Sequence, residues 1–232
     1  MNQLTRATRY SLMLLPALYL FPQLLSAHGV SLTDQQLLMD GSWWTYAYVG
    51  ARHMLTGYDH LLFLVGVVFF LHRLKDILLF ITAFTVGHSI TLIGATLLGI
   101  QADDHLIDAV IALSVVYKGF ENIGGFPRYL RTEAPNLLLM VFGFGLIHGF
   151  GLSTRLQHLA LSSELTLSNI IAFNVGVESG QILALVPVVL IINFWRGRKT
   201  FTVLERLTNW GLIFIGIGLF VYQLVGYFGH SA

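Results

Sequence analysis

The sequence predicts an all-α, polytopic membrane helical bundle with six transmembrane helices after an N-terminal signal peptide. Three observations predict it. The chain is 55% hydrophobic and 11% charged, with mean hydropathy +0.72, whereas about a quarter of the residues in a soluble domain are charged. Its apolar residues fall into runs close to the roughly 20 that a helix needs to cross hydrocarbon. Lys and Arg gather in alternate connections, the pattern of cytoplasmic loops. The chain has no cysteine, which excludes disulfides, thiolate metal sites and thiol nucleophiles. A metal must then be held by His, carboxylate, amide or hydroxyl groups. A net charge of +1 without a basic block gives nucleic acid nothing to bind.

At the N-terminus, Arg6 and Arg9 precede the apolar SLMLLPALYLF, and LLSA ends in small residues before His28. This series reads as a secretory signal over residues 1–27, too short for a span; an uncleaved anchor helix is the alternative. Cleavage after Ala27 exposes His28, whose amine and imidazole together chelate copper, although a chance residue after a signal is the simpler reading. Residues 28–42 are polar and are expected outside the membrane as a short periplasmic segment. Residues 43–232 are the six-helix transmembrane domain.

On the 20-residue ruler the spans are Trp43–Leu71, Ile77–Ile100, His105–Phe120, Asn136–Leu152, Ser168–Trp195 and Thr208–Phe228. The first is long, and its amphipathic front half carries Arg52 and His53. With the mature N-terminus outside, the cytoplasmic connections receive Arg73, Lys75, Lys118, Arg128, Arg131, Arg196, Arg198, Lys199 and Arg206. The outer ones keep QADD and residues 153–167, whose only basic side chain is Arg155. Both termini then face the periplasm. Trp43, Trp44, Trp195 and Trp210 lie near span ends, as interfacial aromatics do. Gly145-x-x-x-Gly149, with the glycines of other spans, predicts close helix packing.

The spans also carry polar groups: His53, Asp59 and His60; Thr85, His88, Ser89 and Thr91; Asp108; His148; and Asn174, Glu178 and Gln181. Ionisable groups inside a membrane face the bundle interior and by default mark a site. His53 and His60 are two turns apart on one helix face, and Asn174, Glu178 and Gln181 form an i, i+4, i+7 stripe. The topology brings His60, His88, His148, Asn174 and Glu178 to similar depths. Imidazoles with carboxylates suit nickel, zinc, copper or iron. The candidate ligands are Asp59, His60, His88, His148 and Glu178, with Asn174, Gln181, Glu121 and Asn122 along a pathway. Asp59 either ligates or orients His60. A lone histidine in a span is commonly just a hydrogen-bonding residue, and His72, His105, His158 and His230 read as interfacial. Glu121 and Asn122 fit an inner gate as well as a helix end near water.

The segments RHMLTGYDHLLFL, FTVGHSITL, the Glu121-Asn122 pair, FGLIHGFGLS and FNVGVESGQ, spread from Arg52 to Gln181, resemble the signatures of the HupE/UreJ family of bacterial membrane proteins. The resemblance implies an inner-membrane secondary permease for nickel or cobalt, with metal-delivery or hydrogenase and urease maturation proteins as partners. His53 to His60 is also similar to the His-x4-Asp-His motif of nickel/cobalt transporters, with five residues intervening here. Carried over, His53, Asp59, His60 and His88 are the metal pathway.

Three function classes follow. In a divalent-metal permease, midplane polar groups on helices bind the ion weakly enough to release it. In an intramembrane zinc hydrolase acting on a lipid or membrane peptide, His60, His88 and His148 hold the metal and Glu178 or Asp59 serves as general base. No HExxH or His-x3-His motif supports the hydrolase, and GVESG is not a serine-hydrolase elbow. In a structural or accessory subunit, the histidines only hydrogen-bond.

Overall fold

The computed structural model of the chain describes residues 32–39, 41–68, 73–158, 166–198 and 200–230. The expected signal segment, His28 and His72 lie outside them. The described residues are helices joined by turns, without strands. In chain order the helices are α1 (Leu32–Met39), α2 (Trp43–Thr56), α3 (Tyr58–Val68), α4 (Leu74–Leu98), α5 (Asp104–Asn122), α6 (Leu137–His158), α7 (Leu167–Arg196) and α8 (Phe201–His230), with a π-helical turn at Phe126–Leu130 before α6.

Helices α4, α6, α7 and α8 are long and apolar enough to cross a membrane. The other two predicted spans differ from expectation. The first is divided at Gly57, which sits in extended backbone (φ −72°, ψ 101°) and separates α2 from α3. The third, α5, runs 19 residues but carries Asp104, Asp108, Lys118 and Glu121. Two further helices outrun their predicted ends, α6 continuing to His158 and α8 starting at Phe201. Hydropathy marks where hydrocarbon ends, whereas a helix ends only at a breaker. Ser, Thr, Arg, Gln and His after Leu152 break nothing. The polar segment before Trp43 is not loose either. Helix α1 packs on α2, with Leu38 buried, Tyr46 Oη donating to the Leu38 carbonyl at 3.1 Å and Arg52 paired with Asp34 at 3.0 Å.

Glycine sets the main helix pairs. A Cβ on Gly145 or Gly149 of α6 would collide with the backbone of Phe84 or His88 of α4, and one on Gly87 would strike Phe142. Gly176 of α7 meets the Ala47 carbonyl of α2 in the same way, and Gly50 meets Phe173. Gly119 and Gly216 perform this role between α5 and α8. Backbones this close gain dispersion contacts that larger side chains would prevent, and the Gly145/Gly149 expectation holds.

The contacts also fix direction. Phe84 meets Gly145 and His88 meets Gly149, so α4 and α6 run parallel; Ala47 with Gly176 and Ala51 with Gly180 make α2 and α7 parallel. Asp108 reaches Arg155 while Ile111 meets Gly151, so α5 and α6 are antiparallel. Helices α2, α5 and α7 point one way, and α4, α6 and α8 the other. One end of the bundle therefore gathers Arg73, Lys75, Arg128, Arg131, Arg196 and Arg198.

Candidate metal centre

Histidines from four helices lie near one another inside the bundle, three in successive ring contact and the fourth, His88, reached across Phe84. The break at Gly57 keeps His53, on α2, and His60, on α3, face to edge with ring centroids 5.2 Å apart. His60 in turn lies 4.7 Å from His148 of α6. His88, on α4, stands level with His148, because its carbonyl is the atom against which Gly149 packs. Phe84 lies between them, its ring centroid 5.1 Å from His148 and 6.2 Å from both His88 and His60. His60, His88 and His148 are 5%, 0% and 2% exposed, so their environment is the protein interior.

Hydrogen bonds define two of the rings. Asn174 Nδ2 donates to the Ile170 carbonyl at 3.0 Å, which turns its Oδ1 outward as the acceptor for His88 Nδ1–H at 2.9 Å. His148 Nδ1–H donates to the Phe144 carbonyl at 2.7 Å. An imidazole that donates from Nδ1 carries its lone pair on Nε2. His88 Nε2 is buried with no hydrogen-bond partner among the described residues. Metal-ligating histidines show this arrangement, one ring nitrogen donating to a carbonyl or amide oxygen and the other left for the ion.

The predicted stripe on α7 finds a matching stripe on α4. Asn174 pairs with His88, Gln181 Oε1 accepts from Thr85 Oγ1 at 3.0 Å, and Glu178 Oε1 accepts from Thr82 Oγ1 at 3.3 Å. Gln181 is fully buried, and its Nε2 has no partner among the described residues. Glu178 faces a groove of about 540 Å³ between α4 and α7, shared with Thr82, Ser89 and Asn174. It lies with these hydroxyls rather than with the imidazoles. Among the described residues no three His, Asp or Glu side chains converge on one point. The side chains of Asp59, His158 and His230 lie outside the described part of the structure.

Glu121 and Asn122 belong to another station, near the basic end. Lys118, with a fully buried side chain, donates to Glu121 Oε2 at 2.7 Å. Asn122 Nδ2 donates to the Gly66 carbonyl at 2.8 Å and to Asn209 Oδ1 at 2.7 Å, joining α5 to α3 and α8. Sequence reasoning noted Lys118 only as a loop charge and missed Thr82 and Phe84. Their signal was position: Thr82 and Thr85 precede His88 at helical spacing, and Phe84 precedes it by one turn.

A third polar group was half seen. Asp108 was noted in its span and Arg155 in an outer loop, but α6 carries Arg155 into the bundle. There Nη2 donates to both Asp108 oxygens at 2.6 Å. Gln223 of α8 completes the network, donating to Asp108 Oδ2 at 3.1 Å and accepting from His105 Nδ1–H at 2.7 Å. His105, read as interfacial, is thus part of a packed network.

A protein-family model described as HupE / UreJ protein matches residues 31–231. No curated protein and no solved structure matches the chain.

Proposed function

The chain belongs to the HupE/UreJ family, and from that premise we propose that it is a secondary permease of the bacterial inner membrane. Its proposed substrate is a divalent transition metal, nickel first and cobalt next, with His53, Asp59, His60, His88 and His148 lining the path. The observation that carries the reading is the pair of oriented imidazoles. His88 and His148 each donate Nδ1–H to an oxygen, and His88 keeps a buried Nε2 lone pair with no partner among the described residues. A buried polar atom left unmatched costs about 1–3 kcal/mol, and a cation bound there removes that cost.

The spacing of the rings favours passage over storage. His53, His60 and His148 stand in a row, each 4.7–5.2 Å from the next. An ion can therefore be held by one pair and handed to the following one. A resident structural metal is instead enclosed by four ligands at once. Imidazole without thiolate suits nickel and cobalt, and binds them weakly enough for release. The alternating directions of α2, α4, α5, α6, α7 and α8 support six spans with both termini periplasmic, since the basic end is then cytoplasmic. The Lys118–Glu121–Asn122 station serves as the inner end of the path. Maturation or metal-delivery proteins of hydrogenase or urease are the proposed recipients.

Proteoliposomes test this. Nickel uptake into vesicles containing the protein should fall to the leak of empty vesicles for His60→Ala/His148→Ala. Glu121→Gln should lower flux while nickel binding in detergent persists. Undiminished uptake by the double histidine variant removes the proposal.

A second reading, an intramembrane zinc hydrolase, has one observation in its favour. The groove holding Glu178 opens at the bundle surface beside Asn174, the partner of His88, where a lipid ester or membrane peptide could enter sideways. Zinc retained through exhaustive dialysis, at about one ion per chain, with lipid or peptide cleavage lost in Glu178→Gln, would select it over transport.

A further inference from the structure

At the basic end, with Asn122 and Asn209 in its wall, lies a chamber of about 660 Å³ between the π-helical turn and the start of α8. Arg128 and Arg206 line it, together with Thr202, Glu205, Tyr129 and Trp210. Both arginines are exposed, as are Tyr129 and Trp210. The one carboxylate on the wall, Glu205, stands within electrostatic reach of Arg196, so positive charge predominates.

We propose that this chamber holds the phosphate of an anionic phospholipid. Its two guanidiniums are the groups best matched to a phosphate, since each offers several donors in a planar fork. The walls carry Trp210 and Tyr129, the side chains that settle at headgroup level. An acyl track leads away from it. Trp210 stacks on Phe214 with centroids 5.9 Å apart, and Phe214, Ile217 and Val221 continue along one exposed face of α8. A lipid seated here has its headgroup at the arginines and its chains along that apolar strip. A soluble phosphate would use the guanidiniums and leave the strip idle, which makes a lipid the better-matched ligand.

Native mass spectrometry of the delipidated full-length protein in detergent tests the assignment, with phosphatidylglycerol and phosphatidylcholine as probes. Wild type should retain phosphatidylglycerol over phosphatidylcholine by roughly tenfold, the ratio that one well-formed charge contact yields. Arg128→Ala/Arg206→Ala should lose that preference, and both side chains are exposed, so the fold should survive. Arg73→Ala, an exposed arginine at the same end but outside the chamber, should keep it. Three results would overturn the proposal: unchanged retention in the double variant, an equal loss in Arg73→Ala, which would mean diffuse surface attraction, or displacement of the lipid by millimolar inorganic phosphate.

Discussion

Asp108→Ala is expected to destabilise the bundle by about 3–5 kcal/mol, the cost of leaving a buried charge without its partner. Asp108 is 5% and Arg155 14% exposed at the side chain, and the carboxylate accepts from Arg155 through both oxygens and from Gln223 as well. Removal of the carboxylate strands a guanidinium among α5, α6 and α8. Arg155→Ala should cost a similar amount for the opposite reason. An isosteric apolar pair, Asp108→Leu with Arg155→Met, should recover most of the loss, because replacing both partners of a buried pair is often neutral or better. Denaturant unfolding in detergent, run as a double-mutant cycle, measures this. Additive losses in the double variant would show that the two side chains do not act as a pair.

Asn174→Ala is expected to lower metal affinity by about 10–100-fold, the usual effect of losing the group that orients a ligating histidine. Asn174 touches no metal on this account; it is a positioning residue. Its Oδ1 holds His88 in the tautomer that leaves Nε2 unprotonated, and without it the proton is free to occupy either nitrogen. Asn174→Asp keeps an acceptor in place and should restore most of the affinity, which a purely packing role would not. Isothermal titration with nickel separates the cases. Equal binding by wild type and Asn174→Ala, both folded, would remove His88 from the site.

The helical class and the alternation of helix directions were legible because they rest on composition, run length and the placement of Lys and Arg. Close packing was legible through Gly145-x-x-x-Gly149, but not its partner: the structure shows that it is α4, with Gly87 as the reciprocal contact. The polar stripe on α7 could be read by period, whereas its complement on α4 was only half read: Thr82 and Thr85 stand at helical spacing before His88, but the sequence does not say which helix faces them. The break at Gly57 was missed because glycine within a helix is usually tolerated; here its backbone is extended and gives α3 a start of its own. Arg155 was assigned to a loop for a similar reason, as falling hydropathy was taken for the end of a helix. Sequence depth grouped His60, His88 and His148; all three are buried, with His60 beside His148 and Phe84 between them and His88. It also grouped Glu178 with them, because period gives the height of a side chain and only a rough angle. The extra residue between His53 and Asp59, relative to the transporter motif, turns an ideal helix by about 100°. The Gly57 break removes that constraint, and His53 and His60 meet regardless.

Equilibrium dialysis of detergent-purified protein against micromolar nickel tests the imidazole site most directly, with His60→Ala/His148→Ala alongside. The account predicts about one exchangeable nickel per chain in wild type, an ion suited to imidazole, and none above background in a variant that keeps its thermal transition. Equal nickel in both proteins would contradict it, and the four histidines would then be hydrogen-bonding residues of the bundle.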